Sequence, residues 1–192
     1  MLREAVEVIR ALWSGEWVDH RGEHFRVERA RLYTPPEEAP PILIAASGQR
    51  AAEMAGEIGN GLIGLAPDHD LVTAFDGAGG QGQPRYAEIT VCWGKDERAA
   101  RETAATRWPN AGIPGELVAE LPLPRYFEQA ASALTVDQLT EKIPCGPDVE
   151  THVETIRAYV DAGFDHIWFH QIGPTQKEFL TAYAEDILPK VT

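Results

Sequence analysis

Apolar and polar positions alternate in two rhythms along this chain. Leu2, Val6, Ile9 and Trp13 recur at spacings of four, three and four, which is one face of a helix. Gly15 ends that stretch, and no Ser, Thr, Asp or Asn precedes it as a cap. Residues 17–33 alternate loosely around Arg21-Gly22, with Trp17, Val18, Phe25 and Val27 flanking the turn. That pattern predicts a β-hairpin. A proline-rich connection follows, through Pro35, Pro36, Pro40 and Pro41.

From residue 42 onward short apolar runs alternate with helical patterns. Buried strands are predicted at 42–46, 61–66, 89–93 and 166–171. Helices are predicted over 49–58, 70–78, 96–108, 126–133, 136–142, 148–162 and 176–188. Gly59, Gly79-Gly80 and Gly163 supply stop signals. Residues 109–124 carry Pro109, Pro114, Pro122 and Pro124 and read as an irregular insertion. Such a segment is either a lid over a pocket or a plain surface excursion. Strand–helix alternation means βα units and an α/β fold with a parallel sheet. Periodicity fits a doubly wound sheet and part of a barrel equally well.

Composition narrows the partners rather than the fold. Seventeen Lys and Arg against thirty Asp and Glu give a net charge of −13. This disfavours nucleic acid and anionic membrane, because both call for a basic surface. The N-terminal stretch is charged throughout and is not a secretory h-region. No apolar run is long enough to cross a bilayer. Cys92 and Cys145 form no CxxC or zinc-type cluster and read as reduced thiols of a cytoplasmic protein.

Several residues could carry chemistry. Ser47-Gly48 follows a predicted strand and opens a predicted helix. Backbone N–H groups at such a start, beside a small residue, suit a phosphate. Alternatively, Ser47 is a plain N-cap. On the last strand His166, Trp168 and His170 share one face, and Ile167 and Phe169 the other. The apolar pair suits the helix-facing side, which would turn His170 inward. His166 and His170 are about 13 Å apart along an extended strand, too far to ligate one metal. A structural role for His170 is equally open. His20 and His24 straddle a turn, and a metal site there is a minor alternative. Trp93 and Trp108 suit a core or a cavity wall.

The segment PPILIAASGQRAAEMAGEIGNGLI resembles strand 5, helix 5 and strand 6 of the luciferase-like flavin and deazaflavin enzymes. CGPDVETHVETIRAYVDAGFDHIWFHQIGP resembles their approach to strand 8. TVCWGKDERAARETAATRWPNAGIPGELVAELPLPRYFEQAA resembles the deazaflavin-dependent subgroup and its insertion after strand 7. The opening EAVEVIRALWSGEWVDHRGEHFRV resembles helix 4 and the hairpin after it. The pieces come in the family's order and cover nearly the whole chain.

The resemblance implies a (β/α)8 barrel, of which residues 1–192 supply strands 5 to 8 as a single domain, with 109–145 as a helical insertion after strand 7. It implies an oxidoreductase that exchanges a hydride between coenzyme F420 and a small organic substrate. The alternatives are an FMN-dependent monooxygenase and a non-catalytic half-barrel remnant. The cofactor-phosphate positions carried over are Ser47, Gly48, Arg50 and Ala51. His170, Leu65 and Lys142 are carried to the substrate pocket. The family's Asp-His pair, non-prolyl cis peptide and Glu would lie in upstream units, so no catalytic residue is assigned. The sugar-phosphate dehydrogenases of this family grip the substrate phosphate with a Thr and a Lys after strand 6. The matching positions here are Leu65 and Asp68, which makes glucose 6-phosphate a poor fit. The same reading expects an apolar inner sheet face and unpaired edge strands. It therefore expects a homo-oligomer such as a dimer, or dependence on a missing first half, with no turnover by these residues alone.

Overall fold

The computed structural model describes residues 1–114 and 117–191. Its contacts divide the chain into two units, Met1–Ala87 with Ala162–His166, and Glu88–Asp161 with the segment from Ile167.

The first unit opens with helix α1 (Leu2–Trp13) and an antiparallel hairpin, β1 (Val18–Arg21) and β2 (Arg26–Ala30). The hairpin forms a two-stranded sheet of its own. Its tip is held by Glu4 of α1, whose carboxylate accepts from the backbone N–H groups of His24 and Phe25 and bonds His20 Nε2. β3 (Ile44–Ala45), α2 (Gln49–Ile58), β4 (Leu62–Gly64) and α3 (His69–Phe75) follow as two βα steps. β3 and β4 pair in parallel, with Ile44 opposite Leu62. α2 packs on α3 through Ala52, Ala55 and Phe75, all fully buried. Gly56 makes that approach possible, because a Cβ there would lie 2.4 Å from the Phe75 carbonyl oxygen. The predicted stop at Gly79-Gly80 is present, with Gly79 at φ 107.

β5 (Arg85–Val91) begins in the first unit, where Arg85 to Ala87 pair in parallel with Leu62 to Gly64. It starts four residues before the strand expected at 89–93. In the second unit, α4 (Glu97–Arg107) is capped by Asp96, whose carboxylate accepts from Ala99 N–H. Short helices α5 (Leu117–Glu120), α6 (Pro124–Ser132) and α7 (Val136–Thr140) fill the segment read as an insertion. α8 (Val149–Asp161) starts on Asp148, which accepts from Thr151 N–H, and the chain then turns at Gly163 with φ 101. That left-handed conformation suits glycine because a side chain would clash with the backbone. β6 (His166–Gln171) and α9 (Gln176–Ala182) close the chain.

The strand order is β3-β4-β5-β6. Asp165 N–H donates to Arg85 O and Ile172 N–H to Val91 O, so β6 runs parallel to β5. All four expected strands are present in the expected order, and the sheet is open among the described residues. Cys92 and Cys145 are direct cross-chain neighbours in a parallel bridge, both buried and unoxidised. They sit in an apolar cluster with Ala100, Ala104, Ile143 and Ile172.

Candidate functional site

The turn after β3 is built from a very short strand and an uncapped helix. Ser47 is exposed, and Gly48 occupies the N-cap position of α2 at φ −160, ψ 163, an extended conformation open to any residue. Gly48 O accepts from the N–H groups of Ala51 and Ala52, at 3.0 and 3.1 Å. No side chain caps the helix, so Ser47 is not its N-cap. The first N–H groups of a helix have no carbonyl partner within it, and here they carry the positive end of the helix dipole. α2 has no acidic residue in its first turn, and Arg50 is exposed there. A Cβ built on Gly48 would meet nothing within 4 Å. The turn therefore offers open space, free donors and a cation, which fits a phosphate group.

Leu65, just beyond β4, is 68% exposed. Asp68 is the N-cap of α3: Oδ1 accepts from Asp70 N–H and Leu71 N–H at 2.9 and 3.1 Å. Its carboxylate is committed to the fold. Lys142 is exposed and borders a hollow of about 430 Å³ with Arg101, Thr140, Cys145 and Thr151. Arg101 is already bonded to Glu97 and Thr140. His170 does not line that hollow, so the structure does not gather Lys142 and His170 into one pocket.

His170 belongs instead to a polar face built on β5 and β6. Along β5, Ala87, Ile89 and Val91 are buried, and Glu88 and Thr90 alternate with them on the more open side. Along β6, Trp168 and His170 take the corresponding side, as the two-residue period requires. Trp168 Nε1–H donates to Glu88 Oε2 at 2.9 Å. His170 Nδ1 lies 4.0 Å from Glu88 Oε1 and 3.4 Å from Thr90 Oγ1. The His170 ring stands edge-on to Trp108, with centroids 4.6 Å apart. In the first unit Tyr86 stacks on His166 at 4.5 Å. Along these two strands the more open side thus carries polar and aromatic side chains. At the strand ends Gln171 clamps Trp93, its Nε2 donating to Trp93 O and its Oε1 accepting from Trp93 N–H, both at 2.9 Å.

The other candidates resolve structurally. His20 bonds Glu4 at 2.9 Å, and His20 with the two neighbouring backbone donors holds the Glu4 carboxyl down at about 2. No set of three metal-ligating side chains occurs among the described residues. Burial pushes the Cys145 thiol up to about 12 and raises Cys92 as well. Sequence reasoning missed Glu88 because it began the strand at Ile89, and it placed Thr90 in the strand without assigning it a role. The Tyr86–Thr90 alternation against Ala87, Ile89 and Val91 was the available signal.

The family model described as luciferase-like monooxygenase matches residues 1–166. The chain belongs to that family. Its α/β fold repeats the strand and helix order of the family's (β/α)8 barrel, with four parallel strands described and no closed barrel. It is 34% identical over 202 residues to the F420-dependent glucose-6-phosphate dehydrogenase of Nocardia farcinica, covering 99% of this chain and 60% of that protein. Its likeness to the enzyme of the same name from Nakamurella multipartita is 35% over 203 residues, covering 99% and 59%. The chain thus spans about 60% of the length of these relatives. Among solved structures, an F420-dependent secondary alcohol dehydrogenase in complex with an F420-acetone adduct matches with a TM-score of 0.81 at 24% identity. That match covers 98% of this chain and 60% of the other. The F420-dependent tetrahydromethanopterin reductase from Methanopyrus kandleri matches with a TM-score of 0.68 at 20% identity.

Proposed function

We propose that this chain carries the cofactor-phosphate turn and part of the substrate face of an F420-dependent oxidoreductase acting on a small organic substrate. The observation that carries this reading is the turn Ser47–Ala51, where an uncapped helix of ten residues starts in open space beside Arg50. The relatives at 34% and 35% identity are named as F420-dependent enzymes, which supports a deazaflavin as the phosphate's owner. F420, when bound, accepts or gives the hydride. The N–H groups of Gln49 and Arg50 hold the phosphate, Arg50 adds charge, and Gly48 lets the backbone approach. Such a contact anchors the cofactor at the carboxyl end of a strand, where barrel enzymes place their chemistry. His170 faces the substrate. We read residues 109–145 as an insertion following β5, within one domain spanning 1–192. No described helix is long and apolar enough to cross a membrane.

The test is a fluorescence titration of F420 against the purified chain and against Gly48→Val, with FMN as competitor. The expected result is saturable F420 binding that weakens at least tenfold in the variant, with FMN a poor competitor. Equal affinities for the two proteins would remove the turn from the site. Preferential FMN binding would replace the cofactor.

A further inference from the structure

Glu88 is a carboxylate on the more open face of its strand, with only one of its two oxygens hydrogen-bonded. One of its oxygens, Oε2, accepts from Trp168 Nε1–H. The other, Oε1, lies 4.0 Å from His170 Nδ1, within ion-pair range and beyond hydrogen-bond range. Among the described residues no Lys or Arg pairs with Glu88. Its side chain is 32% exposed, so its charge is only partly screened by water. His170 is fixed from two sides, by Trp108 against its ring and by Thr90 and Glu88 on its Nδ1 edge. These contacts leave Nε2 as the nitrogen with no bond among the described residues. A carboxylate within ion-pair range of an imidazole whose other nitrogen is open forms a polar receptor.

The chemistry of this receptor selects its guest. It presents one free acceptor, Glu88 Oε1, and one imidazole nitrogen that donates or accepts. A hydroxyl both donates and accepts, so it matches the two groups together. A phosphate or carboxylate group brings negative charge to a Glu88 that no Lys or Arg pairs among the described residues, which is repulsive. Trp108 packs against the His170 ring, and Trp168 holds the other oxygen of Glu88. Resting on the F420-dependent reading above, we infer that Glu88 and His170 determine substrate specificity. They select a hydroxyl of the substrate over a phosphate or carboxylate group at this place. Glu88 also acts as the positioning residue for His170.

The experiment follows the His170 imidazole and the Trp108 and Trp168 indole signals by NMR in the full 192-residue chain. The His170 resonance is assigned by its loss in His170→Gln. The probes are 2-propanol and, separately, inorganic phosphate, each titrated without F420. The expected outcome is a saturable shift of all three residues with 2-propanol and none with phosphate. In Glu88→Gln the 2-propanol response weakens about tenfold, the size expected for losing a bond to a charged acceptor. Signals of the buried His152 report whether each variant is folded, and His170→Asn provides a second removal of the receptor if Glu88→Gln is not. A saturable phosphate response at these residues overturns the inference, as does a response to neither probe. A 2-propanol response unchanged in both Glu88→Gln and His170→Asn also overturns it. F420 binding is measured apart from this, at the Gly48 turn. Its failure would therefore strike the cofactor reading and leave this receptor's own result legible.

Discussion

Replacing Tyr183 by Phe removes one oxygen atom from the packing beneath β6, and its cost follows from two hydrogen bonds. His152 is buried in α8. Its Nε2 lies 3.0 Å from the carbonyl oxygen of Gly146, which only accepts, so Nε2 carries the proton. Nδ1 is then the acceptor for the Tyr183 hydroxyl at 2.9 Å. Burial lowers the pKa of His152, which keeps the ring neutral. Tyr183→Phe preserves the ring contacts with Phe169 and Phe179 and strands a buried acceptor. The expected loss is about 1–3 kcal/mol, or about 2–12 °C in Tm for a chain of this size. The assay is urea unfolding at pH 8, supported by a double-mutant cycle with His152→Phe. Linkage adds a second signature. The folded pKa of His152 is depressed, so the unfolded chain binds the proton more readily. Stability is therefore full above about pH 6.5 and falls below it by about 1.4 kcal/mol per pH unit until the folded ring itself titrates. His152→Phe should flatten that acid slope. A Tyr183→Phe protein within about 0.5 kcal/mol of wild type would refute the assignment of tautomer and bond.

Four further outcomes are expected. Gly48→Val should cost no more than about 1 kcal/mol, the loss of a better N-cap residue, because its Cβ meets nothing. A large loss of stability would show that the turn is packed. Gly56→Ala should cost about 1–3 kcal/mol by overpacking α2 against the Phe75 carbonyl, read by the same denaturation. Glu4 is lowered from 4.5 to about 2, so its clasp on the hairpin should hold above pH 4.5 and fade as pH falls towards 2. Glu4→Gln should abolish that pH dependence of hairpin amide exchange. Cys145, pushed up to about 12 and buried, should resist thiol alkylation at pH 8 in the native chain, and react once urea unfolds it.

The alternation of short apolar runs with helical stretches determined the α/β class and the four parallel strands, because buried strands leave a composition that propensity and length expose, whereas their order followed from the family resemblance and is seen in the sheet. The helix starts at Asp96 and Asp148, and the stop at Gly163, were legible for the same local reason. The residues around Ser47-Gly48 were legible as a turn, but only the tertiary structure showed that Gly48, and not Ser47, sits at the cap and faces open space. The start of β5 was missed because Arg85 and Glu88 carry charge. Arg85 is tied to Asp76 and Asp165, and Glu88 to Trp168, and such long-range satisfaction leaves no local trace. Asp68 reads in sequence as a charge opposed to a substrate phosphate, whereas in the fold its carboxylate caps α3. Cys92 and Cys145 look solitary along the chain and become neighbours only when a loop lies beside the end of β5. Local patterns specify elements because period and capping act over a few residues. Which side chains meet at a site is decided by strand pairing and packing between residues far apart in the chain.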